Sequence, residues 1–173
     1  MKKDIAVIGG LFLLIVFILI FGRAYSSLVF LNESTGSAFT LGSQPKSAQL
    51  RIRDLDINAI VANNQNLRKK GLSKRESLQL NSGMLFVFEK AGDWGIWMKD
   101  MKFAIDIIWI NEEKQIIAIA KNVSPQPGVK DERLTIYKPG QNAKYVLEIN
   151  AGLADRYGLY VGDVVYFDLA NVK

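Results

Sequence analysis

The chain contains no cysteine and no histidine. Without cysteine there is no disulfide, no thiol nucleophile and no thiolate-held metal. Without histidine the usual triad base is missing, and so are imidazole metal sites. Any metal would have to be held by oxygen ligands, which favours magnesium, calcium or manganese. No phosphate-binding glycine loop, nucleophile–base pair or metal motif is present, so no cofactor and no metal are expected. A large excess of one charge is also lacking. The 22 basic and 17 acidic residues leave +5, of which residues 1–23 carry +2. The remaining +3, spread over 19 basic and 16 acidic residues, makes a mildly basic surface and not a nucleic-acid-binding one. Proline is scarce, and three of the four prolines fall between 124 and 140. No internal repeat or low-complexity segment is evident.

What the sequence does have is one long apolar run, Ile5 to Gly22, eighteen residues without a charge. At about 1.5 Å per residue it roughly covers a hydrocarbon core of about 30 Å. Lys2, Lys3 and the amino terminus precede it and Arg23 follows, so the amino end is expected to stay in the cytoplasm. The rest of the chain then lies outside. A cleaved signal peptide with Ala24-Tyr25-Ser26 as its small-x-small site is the alternative. The run exceeds the roughly 7–15 residues usual there, and Arg23 stands before the site, which favours an uncleaved anchor. No cysteine follows, so this is not a lipoprotein. Residues 24–47, rich in Ser with Thr, Gly and Pro, read as a linker.

The globular domain is expected over residues 48–173, enough to bury a core. Leu50, Ile52, Ile57, Ile60 and Val61 suggest a hairpin turning at Asp54-Leu55-Asp56. Asn63 to Lys70 reads as a short capped helix stopped by Gly71. Strands follow at Met84 to Glu89, Ile96 to Lys99 and Ala104 to Ile110. The last is paired through the turn Asn111 to Lys114 with Ile116 to Val123. Ser124 to Gly140 reads as a long surface loop. A strand at Tyr145 to Ile149, one or two helical turns at Ala151 to Tyr157, and a closing strand at Val164 to Leu169 complete the chain. The class is α+β, mainly antiparallel β, forming a small barrel-like domain behind one N-terminal transmembrane helix.

Six ordered blocks strengthen this reading: Arg68 with Gly71-Leu72, GMLFVF at 83–88, WMKDM at 97–101, IDIIWI at 105–110, YVLEINAG at 145–152 and GLYVGDVVYF at 158–167. Over residues 48–169 the chain resembles the domain-of-unknown-function 192 family. That resemblance implies a compact, mostly β, barrel-like α+β domain, often behind a signal or anchor, with no established activity. The chain departs from the family pattern at Ile96, Asp100, Met101, Ala104 and Ile105.

The stretch Gly83 to Asn111 concentrates large apolar residues around few polar ones. Asp106 stands in a strand that is apolar on both alternating faces, so the strand is central and Asp106 is buried. A buried carboxylate needs a cation or several donors. Lys99 is the expected partner, as a structural ion pair, with turn capping as the other structural role. Glu148 repeats the pattern in YVLEIN. If Asp106 and Glu148 faced each other, they could do acid/base work on a glycosidic bond or bind an oxygen-ligated metal. Trp94 and Trp97, beside Gly92 and Gly95, could stack on sugar rings or a partner. Trp109 belongs to the core. The basic run from Arg68 to Arg75 reads as a solvated helix face, with anionic lipid or cell-wall polymer as the alternative contact.

The favoured function is a non-catalytic binding module taking an envelope glycan, a peptide or a small polar ligand through Trp94, Trp97, Lys99 and Asp100. The alternatives are an acid/base or metal-assisted hydrolase using Asp106 and Glu148, and an accessory subunit docked on a membrane protein. The membrane is the expected partner of residues 5–22, and no nucleic acid is. Topology gives the first test. Protease added to intact cells should digest the domain, and detergent should be needed to release the chain; a domain shielded until lysis contradicts the orientation.

Overall fold

The structure is a computed structural model that describes residues 46–170, and these belong to one compact unit. The expected membrane span over 5–22 and most of the linker lie outside the described residues. Among the described residues no helix is long and apolar enough to cross a membrane.

The elements are β1 (Ser47–Ile52), β2 (Leu55–Ala62), α1 (Gln65–Lys70), β3 (Ser82–Gly92), β4 (Ile96–Trp97), β5 (Ile105–Ile110), β6 (Ile116–Val123), a 3-10 turn (Asp131–Arg133), β7 (Ile136–Tyr137), β8 (Ala143–Asn150), α2 (Leu153–Arg156) and β9 (Val165–Tyr166). Seven strands form one sheet in the order β6-β5-β8-β3-β2-β1-β9. All neighbours are antiparallel except β2 and β3, which run parallel because α1 and the loop after it carry the chain back across. The sheet curls into a half-barrel. Its two edges touch where Gln115 bridges Val164, and the Ile116 and Val165 amides donate to the Asp163 and Lys114 carbonyls at 2.9 and 2.8 Å. Curling removes most of the open edge a flat sheet would expose.

Two apolar layers follow from the period of two. One gathers Leu50, Ile57, Leu85, Ile108, Ile116, Leu147 and Val165, drawn from all seven strands of the sheet, so it fills the inside of the curl. The other lies on the opposite face of β3, β5 and β8, with Phe86, Ile107, Trp109 and Val146. Every residue of β5 is buried. Each fully buried large apolar side chain there contributes about 1.5–3 kcal/mol.

Several expected elements differ in detail. The long loop at 124–140 contains the 3-10 turn and β7, and β7 pairs with β4 in a separate two-stranded sheet. Two residues are too few to carry a period. The closing strand is only Val165–Tyr166. The first strand starts at Ser47, and the Lys46 carbonyl already accepts from the Val61 amide at 2.8 Å, so pairing begins just before the expected boundary.

Asp106 is fully buried, as its strand predicts, but Lys99 is not its partner. Its Oδ1 accepts from the Asn122 amide and its Oδ2 from the Ala154 amide, both at 2.8 Å. The first donor exists because β6 carries a bulge: Ile105 pairs with Val123 but Ile107 with Ala120, and Asn122 turns through a positive φ of 53°. The second is at the start of α2, where backbone amides have no intrahelical acceptor. Asp106 thus ties β5 to the bulge and to α2. Lys99 is bonded instead to the exposed Asp131, which raises its pKa. Asp106→Asn should lower stability by about 1–3 kcal/mol, because one buried amide loses its acceptor. Lys99→Met should leave the thermal melt nearly unchanged, since its partner is solvated. The double variant should equal the sum of the singles; recovery in the double would contradict this assignment.

Candidate functional site

On the outer face of β3, β5 and β8 lies a cavity of about 650 Å³. Three segments enclose it. Helix α1 supplies one wall; Asn64 caps it by accepting from the Leu67 amide at 3.0 Å, and Gly71 ends it at a positive φ of 50°. Its last turn carries Arg68, Lys69 and Lys70. Strand β3 supplies Phe86 and Phe88, which the pleat sends to this face. The segment from Trp94 to Met101 supplies the opposite wall.

The walls are ordered by specific contacts. Trp94 stacks on Phe88, with centroids 4.2 Å apart and planes 7° from parallel, and its indole donates to the Lys90 carbonyl at 3.2 Å. Arg68 lies over the Phe88 ring at 5.3 Å, and its Nη1 donates to the Val87 carbonyl at 2.9 Å. That bond uses one of the five guanidinium donors. No carboxylate among the described residues forms an ion pair with Arg68, Lys69 or Lys70. Trp97 is 49% exposed, with the Lys99 ammonium 5.7 Å from its ring. Gly95 allows this wall to form, since a Cβ there would meet Ile136 at 2.5 Å and push β4 from β7.

Glu148 also lines the cavity and is 5% exposed. Across the sheet it faces Met84 on β3 and Ile107 on β5. Among the described residues no charged or hydrogen-bonding partner compensates its burial, which alone pushes its pKa to about 8; its carboxyl oxygens are not sealed away from the cavity. At neutral pH it is therefore a neutral carboxylic acid.

The four binding residues expected from the sequence, Trp94, Trp97, Lys99 and Asp100, all border this one cavity. Asp100 is exposed and sits at a positive φ of 54°, and its carbonyl accepts from the Lys74 amide at 2.9 Å. The proposed pairing of Asp106 with Glu148 is not found. In the register of β5 and β8, Asp106 is opposite Ile149 and Glu148 opposite Ile107. Neighbouring positions point to opposite faces, so the two carboxylates lie on opposite sides of the sheet. A two-carboxylate hydrolase has no geometry here, and among the described residues no three acidic side chains gather as a metal site. Arg68 and Phe88 were not among the expected site residues. The alternation of Met84, Phe86 and Phe88 along β3 was a usable signal for the second.

The sequence model of the domain-of-unknown-function 192 family, described as an uncharacterized ACR, matches residues 48–167, and the chain belongs to that family. Its half-barrel resembles the crystal structure of a Sinorhizobium meliloti protein proposed to be a transcription regulator. That similarity has a TM-score of 0.65 and 26% identity, over 72% of this chain and 95% of the other. A Novosphingobium aromaticivorans protein of unknown function has the same fold, with a TM-score of 0.60 and 24% identity over 76% and 99% of the two chains. No curated protein matches the sequence.

The raised Glu148 pKa has a measurable consequence. Between pH of about 4.5 and 8 the folded state holds a proton that the unfolded state releases, so this group makes stability fall as pH rises through that window and level off above it. The full shift corresponds to a few kcal/mol at most, on the order of magnitude set by about 1.4 kcal/mol per pKa unit. Glu148→Gln should abolish this fall: its melting temperature relative to the parent should climb by several degrees from pH 5 to 8. An unchanging difference would contradict a neutral Glu148.

Proposed function

We propose that this domain is a non-catalytic binding module, held at the extracytoplasmic face of the cell membrane by residues 5–22, whose cleft takes an envelope glycan, a peptide or another small polar ligand. The observation that carries the reading is the convergence of Trp94, Trp97, Lys99, Asp100 and the unpartnered Glu148 on a single cavity of about 650 Å³. Ligand sites are concave and combine apolar walls with placed polar groups, and this cavity sets Phe86, Phe88, Trp94 and Trp97 beside the polar and charged residues of α1 and the opposite wall. An exposed indole offers a flat apolar face with low ordering cost, suited to a sugar ring. The cleft offers no nucleophile beside a base, which supports binding over catalysis.

One observation favours a second reading, an accessory subunit docked on a membrane protein. Tyr160, Val161, Val164 and Tyr166 are all exposed near the sheet closure, an apolar surface well away in sequence from the cleft wall.

Screening soluble glycans, short peptides and small polar metabolites against the full chain in detergent micelles tests the first reading. Binders should move the indole N–H resonances of Trp94 and Trp97, and Trp97→Ala should weaken binding about tenfold or more. Binders that ignore both indoles, or that are insensitive to Trp97→Ala, would contradict it.

A further inference from the structure

Accepting the cleft as a ligand site, its charge and hydrogen-bonding pattern narrow the ligand's chemistry. The charged groups bordering it besides Glu148 are Arg68, Lys69 and Lys70 on α1, Glu89 on β3, and Lys99 and Asp100 on the opposite wall. Lys99 is bonded to Asp131, but the three cations of α1 have no carboxylate partner among the described residues. Of these, Arg68 is the most defined. Its place over the Phe88 ring and a bond to the Val87 carbonyl hold the guanidinium, leaving four N–H donors for something else. A planar, always-charged fork of this kind suits a carboxylate or phosphate. Deeper in the cleft, Glu148 meets apolar neighbours on both adjacent strands and has no partner among the described residues. A carboxylic acid that both donates and accepts matches a hydroxyl, which does the same. On the wall opposite α1 the half-exposed ring of Trp97 borders the same cleft.

We propose that the cleft selects an acidic saccharide: its carboxylate or phosphate is taken by Arg68 with help from Lys69 and Lys70, a sugar face lies on Trp97, and a hydroxyl reaches Glu148. The pattern disfavours an amine ligand, because the three α1 cations without a carboxylate partner outnumber the charged carboxylates of Glu89 and Asp100 at the cleft. It also disfavours a neutral sugar, which would leave the Arg68 donors without an anion.

The test titrates the full chain with a trimer of galacturonic acid, with the neutral trimer of galactose, and with glucose 6-phosphate as the phosphate-bearing arm, following the Trp94 and Trp97 indole resonances. At least one acidic probe should bind tenfold or more tighter than the neutral trimer, and the preference should shrink with added salt. Arg68→Gln should bring acidic binding down to the neutral level. Because Arg68 also braces Phe88, the double variant Lys69→Gln with Lys70→Gln, at two exposed positions, should independently cut acidic binding several-fold. In the parent, acidic binding should weaken between pH 7 and 9 as Glu148 ionises, while in Glu148→Gln it should not. Neutral and acidic probes binding alike, or an acid preference untouched by both sets of α1 variants, would overturn the proposal and leave the cleft as a site for another ligand. Tighter binding of a cationic amino sugar, glucosamine, would overturn it as well. If the wider ligand screen also finds nothing that moves the indoles, the binding reading falls with it.

Discussion

Strands β5 and β8 are buried on both faces, and the pleat between them decides what each polar residue in them can do. Each carries a carboxylate among aliphatic neighbours, one step out of phase across the pair. Out of phase means opposite faces. Asp106 is delivered to the inside of the curl, where a bulge and a helix start present two amides to it. Glu148 is delivered to the outer face, where apolar cross-strand neighbours and an open cleft await it. One strand pair thus supports a structural acid and an unpartnered one without either disturbing the other.

The cost is uneven. Asp106 is compensated by bonds to two backbone donors, which fix the geometry of three elements. Glu148 has no such compensation and resolves its burial by staying neutral. A buried polar group without a partner is uncommon in a stable core. Its presence beside a cavity is the reason to look for a ligand there, since functional positions are where local stability is given up.

Much of the fold could be read from alternation and turn chemistry. The two-faced apolar pattern of IDIIWI made β5 a central strand, placed Trp109 inside and buried Asp106. The polar stretch starting at Asn63 and the stop at Gly71 marked α1 within a residue or two. The Gly-Trp loop forms one wall of the cleft. What could not be read was non-local. The partners of Asp106 lie 16 and 48 residues away, one on a bulge whose extra residue no pattern reveals and one at the start of α2, so the nearby Lys99 looked like the natural counter-ion. The true partner of Lys99, Asp131, sits in a stretch that reads as featureless loop. The relation between Asp106 and Glu148 depended on the register of β5 against β8, and a one-residue change in register would have put them on the same face. Arg68 lay in plain view within a basic run, but its stacking on Phe88 required the parallel return of β3 beside β2.

The outer face of β8 presents Glu148 to the cleft as a neutral carboxyl without a partner among the described residues, while Asp106 on the inner face of β5 serves the structure. The most direct measurement is a pH titration of the Glu148 side-chain carboxyl carbon by NMR in selectively labelled protein. A midpoint at about 8 is expected. A midpoint at the ordinary glutamate value of about 4.5 would mean that the carboxyl is charged and compensated, and would contradict it.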